Sequence, residues 1–258
     1  LAIVAIIPAR YGSTRLPGKP LSDIHGKTLI QRVHERVKDA RSLDRVLVAT
    51  DDERITGAVR AFGGEAVMTS PRHPTGTDRL AEAAGAVEAD ILVNVQGDEP
   101  FLDPAGIDAA VHALLEDPTL PISTLSLPLR DASEMLRPSV VKVVTNRFGD
   151  ALYFSRSALP FVRVSGGGDF FAAAEAAVSQ GLARKHVGLY AYRRDALVRL
   201  AALPPSPLEE AEGLEQLRAL HHGLRIRVVP LAGEQGPAVD TPEDLERVRA
   251  LLDPRVKT

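Results

Sequence analysis

Along the chain, apolar runs of four to seven residues alternate with segments in which apolar residues recur every three or four positions. Residues 2–7 form a near-continuous apolar run, the pattern of a strand buried on both faces. Leu29, Ile30, Val33 and Val37 then repeat at helical spacing. RVLVAT (45–50) predicts a second strand, and ERITGAVRAFGG a helix closed by Gly63 and Gly64, where a left-handed C-cap favours glycine. EAVMTS predicts a third strand, TDRLAEAAGAVE a helix with Thr77 or Asp78 as N-cap, DILVNVQ (90–96) a fourth strand, and DPAGIDAAVHALLED the helix after it. This alternation predicts an α/β fold, a doubly wound, mostly parallel sheet with helices on both faces.

The second half reads differently. STLSLPL is strand-like, and VVKVVTNRFGDALYFSR (140–156) predicts two strands joined by a turn at 146–150, where Gly149 and Asp150 suit hairpin chemistry. VSGGGD (164–169) reads as a loop and KHVGLYAYR as a strand. SPLEEAEGLEQLRALHHG predicts one helix, with Ser206 as N-cap, Pro207 in the first turn and Gly223 beyond its end. RIRVVPL is a last strand, and TPEDLERVRALLD a final helix capped by Thr241. With no repeat and no linker-like stretch, the expectation is a single domain over 1–258, in which 121–192 contribute a protruding β-hairpin subregion.

Composition narrows the function classes. The 258 residues carry a net charge of −3, so a broad nucleic-acid footprint is not expected and any basic site must be local. The absence of cysteine excludes disulfides, thiolate nucleophiles and Cys-ligated metals. No apolar run reaches the roughly eighteen residues of a membrane span. LAIVAIIPAR lacks the basic segment of a signal peptide, so the expected location is cytoplasmic.

One basic stretch stands out. AIIPARYGSTRLPGKPLSDI (5–24) places Arg10, Arg15 and Lys19 directly behind the first strand, with no acid before Asp23. Exposed charges add only about 0–1 kcal/mol each to stability. A bound anion explains them better, because one ion pair at ~4 Å is worth roughly 4 kcal/mol at an effective dielectric near 20. Gly12 and Gly18 are separated by five residues rather than the four of a Walker loop, and Pro20 follows Lys19 where a Mg²⁺-binding hydroxyl would stand. The loop therefore wraps phosphates while a metal is held from elsewhere. VNVQGDEP puts Asp98 just after the fourth strand, and AVDTPEDL puts Asp240 just after the last. Read blandly, the first is a turn residue and the second helix-entry chemistry. Together with the basic loop they match magnesium held by one or two carboxylates and substrate phosphates.

IIPARYGSTRLPGKPL, HPTGTDRLAE, VNVQGDEP, ALYFSR, SPLEEAEGLEQLR and VDTPEDLERVRA, in this order and nearly end to end, resemble the 3-deoxy-manno-octulosonate (Kdo) cytidylyltransferases, the CMP-Kdo synthetases. The Gly- and Ala-rich text of 164–183 departs from the family pattern. The resemblance implies a nucleotide-diphospho-sugar transferase-like fold and a Mg²⁺-dependent, cytoplasmic homodimer. Such an enzyme joins CTP to Kdo, releasing pyrophosphate, for lipopolysaccharide synthesis. It implies that Arg10, Ser13, Arg15 and Lys19 surround the triphosphate, with Ala9 and Arg10 near cytosine. Thr75 and Thr77, with Arg79 behind them, fall where the pyrimidine is read. Asp98 and Asp240 match metal ligands, with Lys19, Arg15 and Asp98 carrying the catalysis. Gln96, at both substrates, joins Arg156, His186, Tyr190, Glu215 and Gln216 around Kdo. Each of these has a plainer reading: Arg156 as a strand-end cap, His186 as a half-buried core residue, Glu215 and Gln216 as a solvated helix face. The rival functions are cytidylyl transfer to another acidic sugar, such as sialic acid, and a non-catalytic nucleotide sensor.

Overall fold

The first apolar run becomes β1 (Ile3–Ala9), in which Val4 to Ile7 are at most 1 % exposed. In the computed structural model, which describes residues 1–258 except 14, 74, 75, 165, 235, 254 and 256–258, β1 belongs to the first of two units, Leu1–Val111 with Gln235–Thr258; the second is His112–Glu234. A short antiparallel pair follows, β2 (Asp23–Ile24) and β3 (Lys27–Thr28). Then come α1 (Leu29–Lys38), β4 (Arg45–Thr50), α2 (Glu53–Ala61), β5 (Glu65–Met68), α3 (Gly76–Gly85), β6 (Ile91–Asn94) and α4 (Pro104–Glu116), within which the first unit ends. The four apolar residues that define the period of α1 are all buried, and the Thr28 side chain caps it by accepting from the Gln31 N–H. Gly63 adopts φ 79°, as the cap reading required.

The strands of this unit run β6-β1-β4-β5, every pair parallel. From β1 the chain moves outward through β4 to β5, then returns to the far side of β1 to lay down β6. Strand order therefore reverses between β1 and β6. The loops leaving these two strands, 10–18 and 95–100, border the crevice where α/β sheets bind ligands.

The second unit contains β7 (Ile122–Pro128), α5 (Ala132–Leu136), β8 (Lys142–Thr145), β9 (Ala151–Ser155), α6 (Phe170–Ser179), β10 (Arg184–Arg193), α7 (Arg194–Ala202), α8 (Pro207–Glu212), α9 (Gln216–His221) and β11 (Ile226–Pro230). Here β7 pairs in parallel with β11 and antiparallel with β10. The hairpin β8–β9 turns where expected: Asn146 Oδ1 accepts from the amides of Phe148 and Asp150, and Gly149 has φ 80°. It is tied down by Lys142 and Val143 pairing on β10 and by a bridge from Asp150 to Arg227, while Phe148 and Leu152 project outward at 61 % exposure each. Finally α10 (Pro242–Leu251) returns the chain to the first unit.

Two readings need correction. The helix expected to be capped by Thr77 or Asp78 already includes Gly76, so both residues lie inside its first turn. The single helix expected over SPLEEAEGLEQLRALHHG is two, broken at Gly213 with φ 61°. The break has a physical reason. Nine residues along one helix would set Glu209 and Arg218 on opposite faces, whereas the bend pairs them through Nη2–Oε1 at 2.6 Å and Nε–Oε2 at 2.9 Å, buried. The divergent segment also holds a helix that the sequence reading did not assign: Asp169 caps α6, whose Ala174 and Ala177 pack with Leu129, Ala132, Met135 and Ala183.

Candidate active site

The basic loop is closed on itself. The Tyr11 carbonyl accepts from the amides of Ser13 at 2.9 Å and Gly18 at 3.1 Å. Gly18 is left-handed, with φ 70°, and a Cβ there would meet the Tyr11 ring at 3.2 Å, so only glycine fits both demands. The next residue, Lys19, starts a short 3-10 turn, and the turn aims its ammonium. On the opposite lip, a Cβ on Gly97 would lie 2.9 Å from the Pro8 carbonyl oxygen. This close approach brings the β6 loop, with Asp98, against the end of β1. Asp240 is delivered from the far end of the chain. The Val239 amide donates to the Asp98 carbonyl at 2.9 Å, and a capping box between Thr241 and Asp244 starts α10 immediately afterwards. At its other end α10 is clasped to β2 by Arg249, which donates to the Asp23 carbonyl.

The result is one ionic cluster. Lys19 Nζ lies 2.7 Å from Asp98 Oδ2 and 3.2 Å from Asp240 Oδ1, and Arg15 Nη2 lies 3.3 Å from the same Asp240 oxygen. Lys19 and Asp98 are largely shielded, with side chains 17 % and 26 % exposed, whereas Arg15 is open to solvent. Among the described residues, no group of three or more His, Asp or Glu side chains converges on one point. The two aspartates nonetheless converge on a cation, the lysine ammonium, and both present carboxylate oxygens. Paired oxygen donors of this kind suit a hard divalent ion that takes its remaining ligands from water and phosphate.

The other residues expected at the nucleotide divide. Ala9 ends β1 and is buried, Arg10 beside it is exposed, and Ser13 Oγ accepts from the Leu16 amide. Thr75 lies outside the described residues. Thr77 is buried in the first turn of α3. Arg79, two residues on, is 4 % exposed, its guanidinium bonded to Thr69 Oγ1 at 2.5 Å and to Asp51 Oδ2 at 2.7 Å. Arg79 is thus a prop inside the unit rather than a surface cation. Gln96 is half-buried in the β6 loop.

In the second unit, β10 brings His186 and Tyr190 together, their ring centroids 5.4 Å apart. A bulge between Val187 and Tyr190 shifts the register on β7, and Thr124 fills the gap, 3.0 Å from His186 Nε2 and 2.8 Å from the Leu189 carbonyl. Tyr192 stacks on Tyr190 at 5.7 Å. Burial pushes the His186 pKa down to about 3, so the imidazole is neutral at physiological pH. Burial, with a contribution from the nearby Glu215 carboxylate, pushes both tyrosines up. Glu215 precedes α9, and Gln216 opens it, buried. Arg156 is held by backbone: its guanidinium donates to the carbonyls of Glu212, Pro138 and Gly213 at 2.7, 3.2 and 3.3 Å.

Sequence reading passed over the residues beneath Arg156. Glu212 accepts from Ser155 Oγ at 2.6 Å and from the Arg156 amide at 2.9 Å. Lys142 is fully buried, and its ammonium donates to the carbonyls of Val140 at 2.7 Å, Arg137 at 3.0 Å and Arg156. The available signal was a lysine interrupting the apolar run VVKVV. Burial pulls the Lys142 pKa from its ordinary 10.5 down to about 8. Between these values the unfolded chain binds more protons than the folded one, so stability contributed by this group rises with pH across that window. The melting temperature of the native protein is therefore expected to gain on that of Lys142→Met between pH 7.5 and 10; parallel pH profiles would contradict it.

The chain matches the family model described as Cytidylyltransferase over residues 4–226. It is 54 % identical to the 3-deoxy-manno-octulosonate cytidylyltransferase of Syntrophotalea carbinolica, over 98 % of this chain and 99 % of that protein. To the enzyme of the same name from Escherichia coli it is 49 % identical, over 96 % and 95 %. A solved CMP:2-keto-3-deoxy-manno-octonic acid synthetase complexed with CTP superposes with a TM-score of 0.89 at 49 % identity, covering 97 % of this chain and 98 % of that one. A putative glucose-1-phosphate thymidylyltransferase from Bacillus anthracis, at 16 % identity and TM-score 0.62 over 97 % and 95 %, shares the fold.

Proposed function

The chain belongs to the 3-deoxy-manno-octulosonate cytidylyltransferase family, and we propose that it transfers CMP from CTP to Kdo, releasing pyrophosphate. The observation that carries the mechanism is the convergence of Lys19, Asp98 and Asp240 beside the β1–β6 crevice. The anomeric hydroxyl of the sugar acid attacks the α-phosphorus of CTP. A new O–P bond forms, the α–β anhydride breaks, its electron pair leaves with pyrophosphate, and the hydroxyl proton passes to solvent. Such transfer depends on positioning and charge neutralisation rather than on a protein nucleophile. Lys19 and Arg15 neutralise the departing pyrophosphate, while Arg10 and Ser13 hold the remaining phosphate oxygens. Asp98 and Asp240 would hold a magnesium ion, which would supply Lewis-acid charge for the phosphates and the attacking hydroxyl. Ala9 and Thr77, with Thr75, meet the cytosine, and Arg79 keeps Thr77 in place.

In the second unit, Arg156 supplies the charge for the Kdo carboxylate. His186, being neutral, offers hydrogen bonds to sugar hydroxyls instead, as do Tyr190, Glu215 and Gln216. The protein acts as a cytoplasmic homodimer feeding lipopolysaccharide synthesis; among the described residues no helix is long and apolar enough to cross a membrane.

Incubation with CTP, Mg²⁺ and Kdo is expected to release pyrophosphate, and a chelator to stop it. Faster release with sialic acid would move the acceptor assignment, and CTP binding without turnover would favour a sensor. The convergent carboxylate pair speaks for catalysis, since a sensor has less use for a metal site.

A further inference from the structure

A charged amine with no carboxylate partner is expensive to bury. Lys142 is 0 % exposed, yet among the described residues its ammonium bonds backbone carbonyls rather than an acid. One of those carbonyls belongs to Arg156. The others, of Arg137 and Val140, bracket Pro138, whose own carbonyl accepts from Arg156 Nη1. The remaining polar groups of Arg156 are also engaged: its amide with Glu212 Oε2, its Nε with the Glu212 carbonyl, its Nη2 with the Gly213 carbonyl. Lys142 thus secures both the residue that carries the guanidinium and the segment on which the guanidinium rests. The cluster also has an uneven charge. Two cations, Lys142 and Arg156, stand near one carboxylate, Glu212, which is already occupied by Ser155 Oγ and the Arg156 amide. The excess is one positive charge, an arrangement that invites an anion.

We infer that Lys142 is a positioning residue for acceptor binding: its buried ammonium presets Arg156 and adds positive potential where the sugar-acid carboxylate binds. The inference rests on the reading of Arg156 as the acceptor's carboxylate contact. A pre-organised guanidinium loses little freedom when it forms its paired hydrogen bonds, and Lys142 pre-organises it without touching the ligand. The effect belongs to the acceptor alone, because every residue of this cluster lies in the second unit and none is assigned to CTP.

The test compares steady-state constants for the full-length protein and Lys142→Met. The KM for Kdo is expected to rise about tenfold, the loss of one charge-assisted contact, while the KM for CTP stays within about twofold. Equal changes in both constants, or none, overturn the assignment. Should the methionine variant fold poorly, the lack of any native cysteine offers a second route. Lys142→Cys, alkylated with 2-bromoethylamine in denaturant and refolded, regains a lysine-like amine and is expected to recover the low KM for Kdo. The same protein alkylated with iodoacetamide is not, and equal recovery by both would defeat the charge argument. Hydrogen–deuterium exchange separates this idea from the functional reading on which it rests. If the wild type does not use Kdo, the functional reading fails on its own. Faster exchange over 137–142 and 155–158 in Lys142→Met still supports the pinning, and unchanged exchange refutes it.

Discussion

Asp98→Asn is expected to reduce CMP transfer by at least about 10³-fold, the scale of losing a central charge-stabilising group, with melting temperature and CTP binding little changed. The substitution keeps the size of the side chain and removes the charge that Lys19 now meets at 2.7 Å. The fold should tolerate it, because the closure of the β6 loop rests on Gly97 against Pro8 and on the Val239 amide bonded to the Asp98 carbonyl, which asparagine retains. Steady-state assays over a range of Mg²⁺ and Mn²⁺ concentrations check it. Full activity in the variant would remove Asp98 from the metal site, and loss of fold would show that its carboxylate is structural.

Lys19→Met is expected to cost about 10²–10³ in turnover, and to have a second effect of opposite sign. The ammonium now stands where Asp98 and Asp240 converge, 2.7 and 3.2 Å from their oxygens. Without it the two carboxylates face each other with only the exposed Arg15 guanidinium beside Asp240, which favours a divalent ion taking the ammonium's place. Mn²⁺ titration followed by electron paramagnetic resonance, without nucleotide, should show several-fold tighter binding than in the native protein. Unchanged Mn²⁺ affinity would place the ion elsewhere, and a defect confined to the KM for Kdo would assign Lys19 to the wrong substrate.

Local pattern revealed much of the first unit because its elements are short-range objects. Leu29, Ile30, Val33 and Val37 share one helix face, RVLVAT is all strand, and a left-handed Gly63 closes α2. Asp98 and Asp240 were visible as acids following strands. Their meeting was not, since it depends on a hydrogen bond between Val239 and Asp98, far apart in the sequence. The second unit was less legible because its form is set by tertiary partners. The helix break at Gly213 goes with the Glu209–Arg218 pair, which lie nine residues apart and would face opposite ways on a continuous helix, so the helical pattern of the segment does not show that they meet. Helix α6 is a run of alanines with Phe170 and Phe171 exposed, so its weak amphipathic signal hid it. The burial of Lys142 went unread because its carbonyl cage is assembled from two other segments.

The bond from Lys19 to Asp240 spans 221 residues. A growing polypeptide can therefore complete β1, β4, β5 and β6, and fold the basic loop around Tyr11, long before Asp240 has been translated. Any product terminated ahead of Asp240 would lack half of the carboxylate pair and, with α10, the Arg249 clasp on β2. In this architecture, competence for chemistry arrives with the last stretch of synthesis.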